Sequence, residues 1–460
     1  MFIGRERELK TLNEHYNRGK FDFFCIYGRR RVGKTELIKE FIKDKKAIFF
    51  TGVEDTKAVN LASFSSVVRE TLYGFSGNAV YTDFKEAFAD IHKYAKEQRI
   101  VLVMDEYPYL AKSYSGISSL LQIEIDHRLK DTNIFIILCG SSMSFMEKQV
   151  MGHKSPLYGR RTGQIKTLPF DYETSKQFCK SMKEEEKAIT YGVTGGIAKY
   201  LQLFNNDKNI EDNIKSNFLD SNEVLFEEPT NLLNQELREP ALYNSIITAV
   251  ATGATKVNEI KTKTNLDSSI CVKYLKNLSE LGIIKREIPV LEKPTSKKSI
   301  YRLNDGMFRF WYRFVYKNIS RIRLGLDDPV YDEIKEQIPS FMGEVFEQIC
   351  KEYMWKLKLP FHAAEIGRWW GNNPITKTEQ EIDLIAVNSD GNKAIFCECK
   401  WRNEKLPESV IDELIGKAEI FNHKDKYYYL FSKSGFTTAA LNRASDNIKL
   451  IEFKDMFVKA

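Results

Sequence analysis

Residues 21–43, FDFFCIYGRRRVGKTELIKEFIK, decide the reading of the first part of the chain. FDFFCIY is a short apolar, aromatic run and reads as a buried strand. TELIKEFIK sets Leu37, Ile38, Phe41 and Ile42 at helical spacing. Between them Gly28-Arg29-Arg30-Arg31-Val32-Gly33-Lys34-Thr35 spells G-x-x-x-x-G-K-T. Strand, glycine loop and helix is the context in which backbone N–H groups and a helix N-terminus converge on phosphate oxygens. Lys34 adds a point charge for the β and γ oxygens, and the Thr35 hydroxyl can ligate Mg²⁺.

Working outward, Ile100-Val101-Leu102-Val103-Met104 is an apolar run that ends in Asp105-Glu106. It reads as a buried parallel strand with its acids at the carboxyl end, where ligands bind. Asp105 is expected to hold Mg²⁺, through water or directly, and Glu106 to polarise an attacking water. A third run, residues 134–139 (IFIILC), ends in Gly140-Ser141-Ser142. These small polar residues either sense a γ-phosphate or form a turn and cap the next helix.

At 460 residues the expectation is about three domains. A hydrophobic content of 43% fills several cores and argues against disorder. No apolar run approaches the roughly 20 residues of a membrane span. The charged opening MFIGRERELK has no apolar signal segment, so a cytoplasmic location is expected. Seven cysteines form no disulfide framework; Cys397 and Cys399 lack the partners of a zinc site. Free thiols in a reducing compartment are expected.

The formal charge is +6, and its placement is uneven. Between Lys256 and Arg302 there are 11 Lys and Arg against 5 Asp and Glu, so this segment carries the whole excess. Such a patch is an electrostatic footprint for nucleic acid, or a solvated lysine-rich face. The same segment has a pattern: helices over 241–251, 256–264 and 268–281, a strand over 283–290, a polar lysine-rich stretch, and a return strand over 299–303. Three helices and a hairpin make a winged helix-turn-helix. Lys273 and Lys276 on its third helix would meet DNA phosphates, and the wing lysines Lys293, Lys297 and Lys298 would reach the backbone. Winged helices also serve protein contacts.

The last region carries a different chemistry. Residues 338–355 read as a helix bearing Glu344 and Glu347 one turn apart. Residues 381–387 (EIDLIAV) and 393–401 (KAIFCECKW) read as two antiparallel strands joined by a Ser-Asp-Gly-Asn turn. Glu398 and Lys400, two apart, share one strand face, and the hairpin brings Asp383 beside them. Asp383 and Glu398 can hold Mg²⁺, Lys400 can orient a water or stabilise charge on phosphorus, and Glu347 can complete the shell. Oxygen ligands favour Mg²⁺ or Mn²⁺.

The ordered set Glu347, Asp383, Glu398-x-Lys400 resembles the PD-(D/E)xK nuclease superfamily, with Ile382 where the superfamily often has proline. The N-terminal Phe2-Ile3-Gly4-Arg5-Glu6-Arg7-Glu8-Leu9 resembles the opening box of prokaryotic AAA+-like ATPases of the signal-transducing lineage. That resemblance implies that Ile3, Gly4 and Arg5 lie near the adenine of ATP. Residues 156–162 (PLYGRRT) match another stretch of the lineage, and either Arg160 or Arg161 would neutralise γ-phosphate charge. Residues 194–201 (TGGIAKYL) resemble its G-G-x-P-x-Y-L turn, with Ala198 in the proline's place.

Together these readings predict an α/β protein: a P-loop ATPase core with a doubly wound parallel sheet (residues 1–165), a helical lid (166–237), a winged helix (238–304), a helical connector (305–337) and a C-terminal restriction-endonuclease-like α/β domain (338–460). Phe308, Phe310, Trp311, Phe314 and Tyr316 of the connector are read as interdomain core. The expected activity is an ATP-dependent switch, with Mg²⁺, governing a DNA-directed nuclease domain. The alternatives are a regulatory ATPase that binds DNA or protein without cutting, and an ATPase with a pure protein-scaffold role; ATP, DNA and a protein partner or second copy of the chain are the expected partners.

Overall fold

The structure, a computed structural model, describes residues 2–74, 79–374 and 377–457. The chain divides into two compact units: Met1–Pro169 with Ile197–Lys199, and Phe170–Gly196 with Tyr200–Ala460.

The first unit is built on five parallel strands: β1 (Asp22–Tyr27), β2 (Ala47–Thr51), β3 (Ile100–Asp105), β4 (Ile134–Gly140) and β5 (Gly163–Lys166), in the order β2-β3-β4-β1-β5. Every residue of β1, β3 and β4 is buried. Alternate side chains enter cores on opposite faces of the sheet: Phe23, Leu102 and Ile136 on one, Phe24, Val101 and Ile137 on the other. This is why the runs read as continuous apolar stretches rather than as alternating ones. Because β4 lies between β1 and β3, the carboxyl ends of all three stand side by side. That places the glycine loop, Asp105-Glu106 and Ser141 together.

The second unit opens with helices, including Glu184–Thr194, Ile210–Phe218 and Val224–Glu236. The charged run at 183–187 starts the first of these, where the Glu186 carboxylate accepts from the Lys183 backbone N–H at 3.0 Å. Helices Pro240–Ala251, Val257–Thr264 and Ser268–Glu280 follow, then an antiparallel pair, β6 (Ile284–Glu287) and β7 (Ile300–Leu303). The first hairpin strand is shorter than the sequence suggests. Pro289 has no N–H to give to a ladder, and Val290 donates instead to the Arg368 carbonyl at 2.8 Å. The connector aromatics Phe308, Phe310, Trp311 and Phe314 are buried, with the Trp311 indole donating to the Phe226 carbonyl at 2.7 Å; Tyr316 is partly exposed.

The helix expected from residue 338 runs from Asp327 to Met354, with Pro339 inside it. Its buried stripe of Val330, Tyr331, Ile334, Ile338, Phe341, Met342, Val345, Phe346, Ile349 and Cys350 continues across the proline. The boundary drawn at 337/338 therefore falls within one continuous element. A mixed sheet ends the chain: β8 (Glu365–Asn372), β9 (Glu379–Val387), β10 (Lys393–Lys400), β11 (Asp425–Ser432) and β12 (Ile448–Glu452), ordered β12-β11-β10-β9-β8. The β8–β9 and β9–β10 pairs are antiparallel, and β10–β11 and β11–β12 are parallel. Among the described residues no helix is long and apolar enough to cross a membrane, and all seven cysteines are buried free thiols.

Candidate functional site

The glycine loop leaves β1 at Gly28. A Cβ there would sit 2.3 Å from the Thr167 carbonyl oxygen, so only glycine lets the loop pass the end of β5. Arg31 and Gly33 take left-handed conformations, at φ 69° and 90°, and the helix Lys34–Ile42 begins at once. Lys34 is buried, and its ammonium donates to the Arg29 carbonyl at 2.9 Å. Burial lowers the Lys34 pKa, against the raising charges of Glu106 and Asp105. Thr35 Oγ1 donates to Asp105 Oδ2 at 3.0 Å. Thr35 and Asp105 thus present adjacent oxygens, a donor pair that fits Mg²⁺.

Glu106 stands at the tip of β3 in a left-handed conformation, φ 46°. Its Oε2 accepts from Ser141 Oγ at 3.0 Å, so Ser141 holds the carboxylate expected to face an attacking water. Arg30 donates to the Tyr109 hydroxyl at 2.8 Å. Arg5, at φ 68°, reaches the Val32 carbonyl at 3.1 Å and the Leu168 carbonyl at 2.5 Å, which ties the N-terminal box to the loop. Gly4 is buried and Ile3 half-buried. The segment Ile197–Lys199 also meets the loop. Lys199 N–H donates to the Arg31 carbonyl at 3.2 Å, and Ala198 Cβ lies 3.7 Å from where a Cβ on Gly33 would be.

Arg160 is engaged elsewhere. It makes a bidentate pair with Asp126, at 2.8 and 2.6 Å, and donates to the Pro156 and Tyr158 carbonyls. Arg161 is exposed.

The acidic constellation assembles within the second unit. Leu384 pairs with Cys397 across β9 and β10, which sets Asp383 beside Glu398 on the hairpin. The Cys399 backbone N–H donates to Asp383 Oδ2 at 2.7 Å. Lys400 Nζ contacts Glu398 Oε1 and lies 3.8 Å from Asp383 Oδ2. Glu347 projects from the helix Asp327–Met354 into the same cavity of about 350 Å³, which Ser340, Gly343, Asp383, Lys400 and Arg402 also line.

Burial, then the charge of Asp383, pushes the Glu347 carboxyl up to about 8. Burial, then the charge of Glu398, pushes Asp383 up to about 6. Burial works to lower Lys400, but Asp383 and Glu398 outweigh it and hold the ammonium above its usual range. Three carboxylates, Glu347, Asp383 and Glu398, thus face Lys400, with Lys417 and Arg368 against two of them. Asp383 and Glu347, the two that line the cavity, are oxygen donors of the kind a hard divalent cation takes.

Two residues at this pocket carried no local sequence signal. Lys417, on the helix Ser409–Ala418, reaches Glu398 Oε2 at 3.2 Å. Arg368 on β8 places Nε 3.3 Å from Glu347 Oε2. The charge-paired Glu398 also bears on metal binding: among the described residues, no three His, Cys, Asp or Glu side chains gather at ligating range. Glu344, one turn before Glu347, pairs with Arg302 at 2.5 Å and Arg309 at 3.1 Å. On the basic segment Lys273, Lys276, Lys293, Lys297 and Lys298 are all exposed, and Lys298 pairs with Glu292.

A family described as "ATPase domain predominantly from Archaea" matches residues 2–204. The uncharacterized protein MJECL04 of Methanocaldococcus jannaschii is 34% identical over 441 residues, covering 94% of this chain and 96% of its own. The chain belongs to this family of archaeal P-loop ATPases. A second family, described as "Archaea bacterial proteins of unknown function", matches residues 311–411 of the archaeal-type ATPase chain. The ATP-binding protein MJ0423 of the same organism is 50% identical over 46 residues, 10% of this chain and 78% of its own. Among solved structures, the Walker-type ATPase paby2304 of Pyrococcus abyssi superposes with a TM-score of 0.53 at 20% identity. It covers 68% of this chain and 96% of its own, a likeness of fold. The first unit is therefore an ATP-binding domain of the P-loop ATPase class.

Proposed function

We propose that this ATPase-family protein hydrolyses ATP and uses the cycle to govern a metal-dependent, DNA-directed nuclease-like domain. The convergence of Glu347, Asp383 and Lys400 on one cavity, with Glu398 paired to Lys400 behind it, carries the reading. The helices 240–280 with the β6–β7 hairpin act as a winged helix whose exposed lysines hold DNA backbone. In the first unit, Lys34 and the loop N–H groups bind the triphosphate, Thr35 and Asp105 hold Mg²⁺, and Glu106, oriented by Ser141, takes a proton from water. In the second unit, Asp383 and Glu398 would hold the divalent cation, with Glu347 beside them. A bound Mg²⁺ there supplies charge to polarise the scissile phosphate and a water. Lys400 orients that water and offsets charge on the phosphate. The segment Ile197–Lys199, which touches the glycine loop while residues on either side belong to the second unit, is a covalent path for nucleotide-driven motion.

Plasmid DNA with Mg²⁺ or Mn²⁺, with and without ATP, tests this. Cutting that is lost in Asp383→Ala and changed by ATP only when Lys34 is intact supports it. Absence of cutting under every metal and nucleotide condition overturns it. That outcome favours the second reading, a regulatory ATPase that binds DNA or protein without cleaving. The double engagement of Glu398 by Lys400 and Lys417 is the observation on its side.

A further inference from the structure

The hairpin of the basic segment does not end free in solvent. Val290, just beyond β6, is buried in the core of the terminal sheet with Ile382, Ile385 and Val387, and its N–H donates to the Arg368 carbonyl at 2.8 Å. The Trp370 indole N–H donates to the Lys298 carbonyl at 3.2 Å. One residue, Arg368, is held at both ends. Its backbone accepts from the wing, while its guanidinium lies 3.8 Å from the β6 carboxylate of Glu287, against Glu381, and 3.3 Å from Glu347 of the acidic pocket. The side chain is 14% exposed and those of Glu287 and Glu347 are 18%, so water screens these two contacts little.

We propose that Arg368 is the positioning residue through which DNA on the wing controls cation binding in the acidic pocket. The inference rests on the nuclease-like reading of that pocket. With the wing docked, the guanidinium lies 3.3 Å from the Glu347 carboxylate, and its charge competes there with a divalent cation. DNA that engages Lys293, Lys297 and Lys298 pulls on the segment that carries Val290 and the Lys298 carbonyl. Loss of those two hydrogen bonds frees β8 at Arg368, withdraws the guanidinium and leaves Glu347 to the cation. Arg309, which lies outside the hairpin, pairs with Glu344, so the helix that bears Glu347 keeps its place while Arg368 moves. Metal loading is thereby coupled to DNA occupancy, and by linkage the metal strengthens DNA binding by the same factor.

The test uses the full chain without nucleotide, Mn²⁺ as the cation and a mixed-sequence duplex as the DNA. Mn²⁺ affinity is measured at the site that Asp383→Ala removes, and hydrogen exchange is followed at the Val290 amide. Duplex is expected to speed exchange at Val290 and to raise Mn²⁺ affinity about tenfold. Arg368→Met should bring Mn²⁺ affinity to the DNA-bound level with no DNA present, after which duplex adds nothing. Arg368→Lys should restore part of the dependence. Trp370→Phe, which touches no pocket residue, should give a smaller change in the same direction. Unchanged exchange at Val290, or DNA dependence that persists in Arg368→Met, overturns the proposal while leaving the metal site standing. Failure to find any Asp383-dependent Mn²⁺ site overturns it together with the nuclease-like reading.

Discussion

The two candidate sites are built from the same kinds of group and carry opposite electrostatic deficits. At the glycine loop, burial lowers the pKa of Lys34, which is the first residue of the helix after Gly33. At the acidic pocket, Lys400 is held above its usual range, while Glu347 and Asp383 are pushed up. The first site has a surplus of donors and is completed by an anion. The second gathers three carboxylates, each within reach of a lysine or arginine, and is the site proposed to take a cation. A lysine beside two acids therefore does not define a chemistry; the balance of burial and neighbouring charge does.

The sharpest way to break this comparison is to remove one carboxylate from the second site. Asp383→Ala should reduce metal-dependent plasmid nicking by roughly 10³-fold, with ATP turnover unchanged. An equal fall in ATP turnover would mean that the two sites are not chemically separate. Next in size, Lys34→Ala should weaken ATP binding by about 100-fold, since it deletes a charge-assisted contact to the phosphates; calorimetry on the full chain reads it.

The pH dependence sharpens the contrast further. A carboxyl whose folded pKa is raised binds more protons folded than unfolded between the two values. Stability without metal should therefore fall as pH rises from about 5 to 8, the window between the ordinary carboxyl range and the Glu347 value of about 8. The loss should be on the order of 4 kcal/mol, at about 1.4 kcal/mol for each pH unit. Denaturant melts across that range should show the slope, and Glu347→Gln should flatten it. A saturating divalent cation should flatten it too, because it binds the ionised form.

The smallest effect separates two adjacent arginines. Arg160→Ala breaks the pair with Asp126, a partly exposed contact, and should cost about 0.5 kcal/mol of stability without slowing ATP turnover. Arg161→Ala should slow turnover and leave stability unchanged. The reverse pattern in a coupled hydrolysis assay would exchange their roles.

The legible parts of the molecule are those in which a few consecutive residues carry the whole structural instruction. The G-x-x-x-x-G-K-T loop, the apolar run ending in Asp105-Glu106 and the Asp383 to Lys400 hairpin are short segments whose periodicity and turn residues set the side-chain directions. The helix that carries Glu347 was legible in kind but not in extent, because its apolar stripe runs through Pro339. The hairpin was legible in order, but not the turning of Val290 away from it into the terminal sheet.

By itself, the sequence determined the nucleotide loop, the acid-tipped strand and the acidic hairpin, since each depends on backbone geometry within about 20 residues. The tertiary structure alone decided that Gly28 must pass Thr167, that Arg160 belongs to Asp126, and that Lys417 and Arg368 attend Glu398 and Glu347. These pairings join residues 19 to 139 positions apart or on separate elements. Nothing in local periodicity specifies which distant charge a side chain will meet; chain topology and the burial of the surrounding core do.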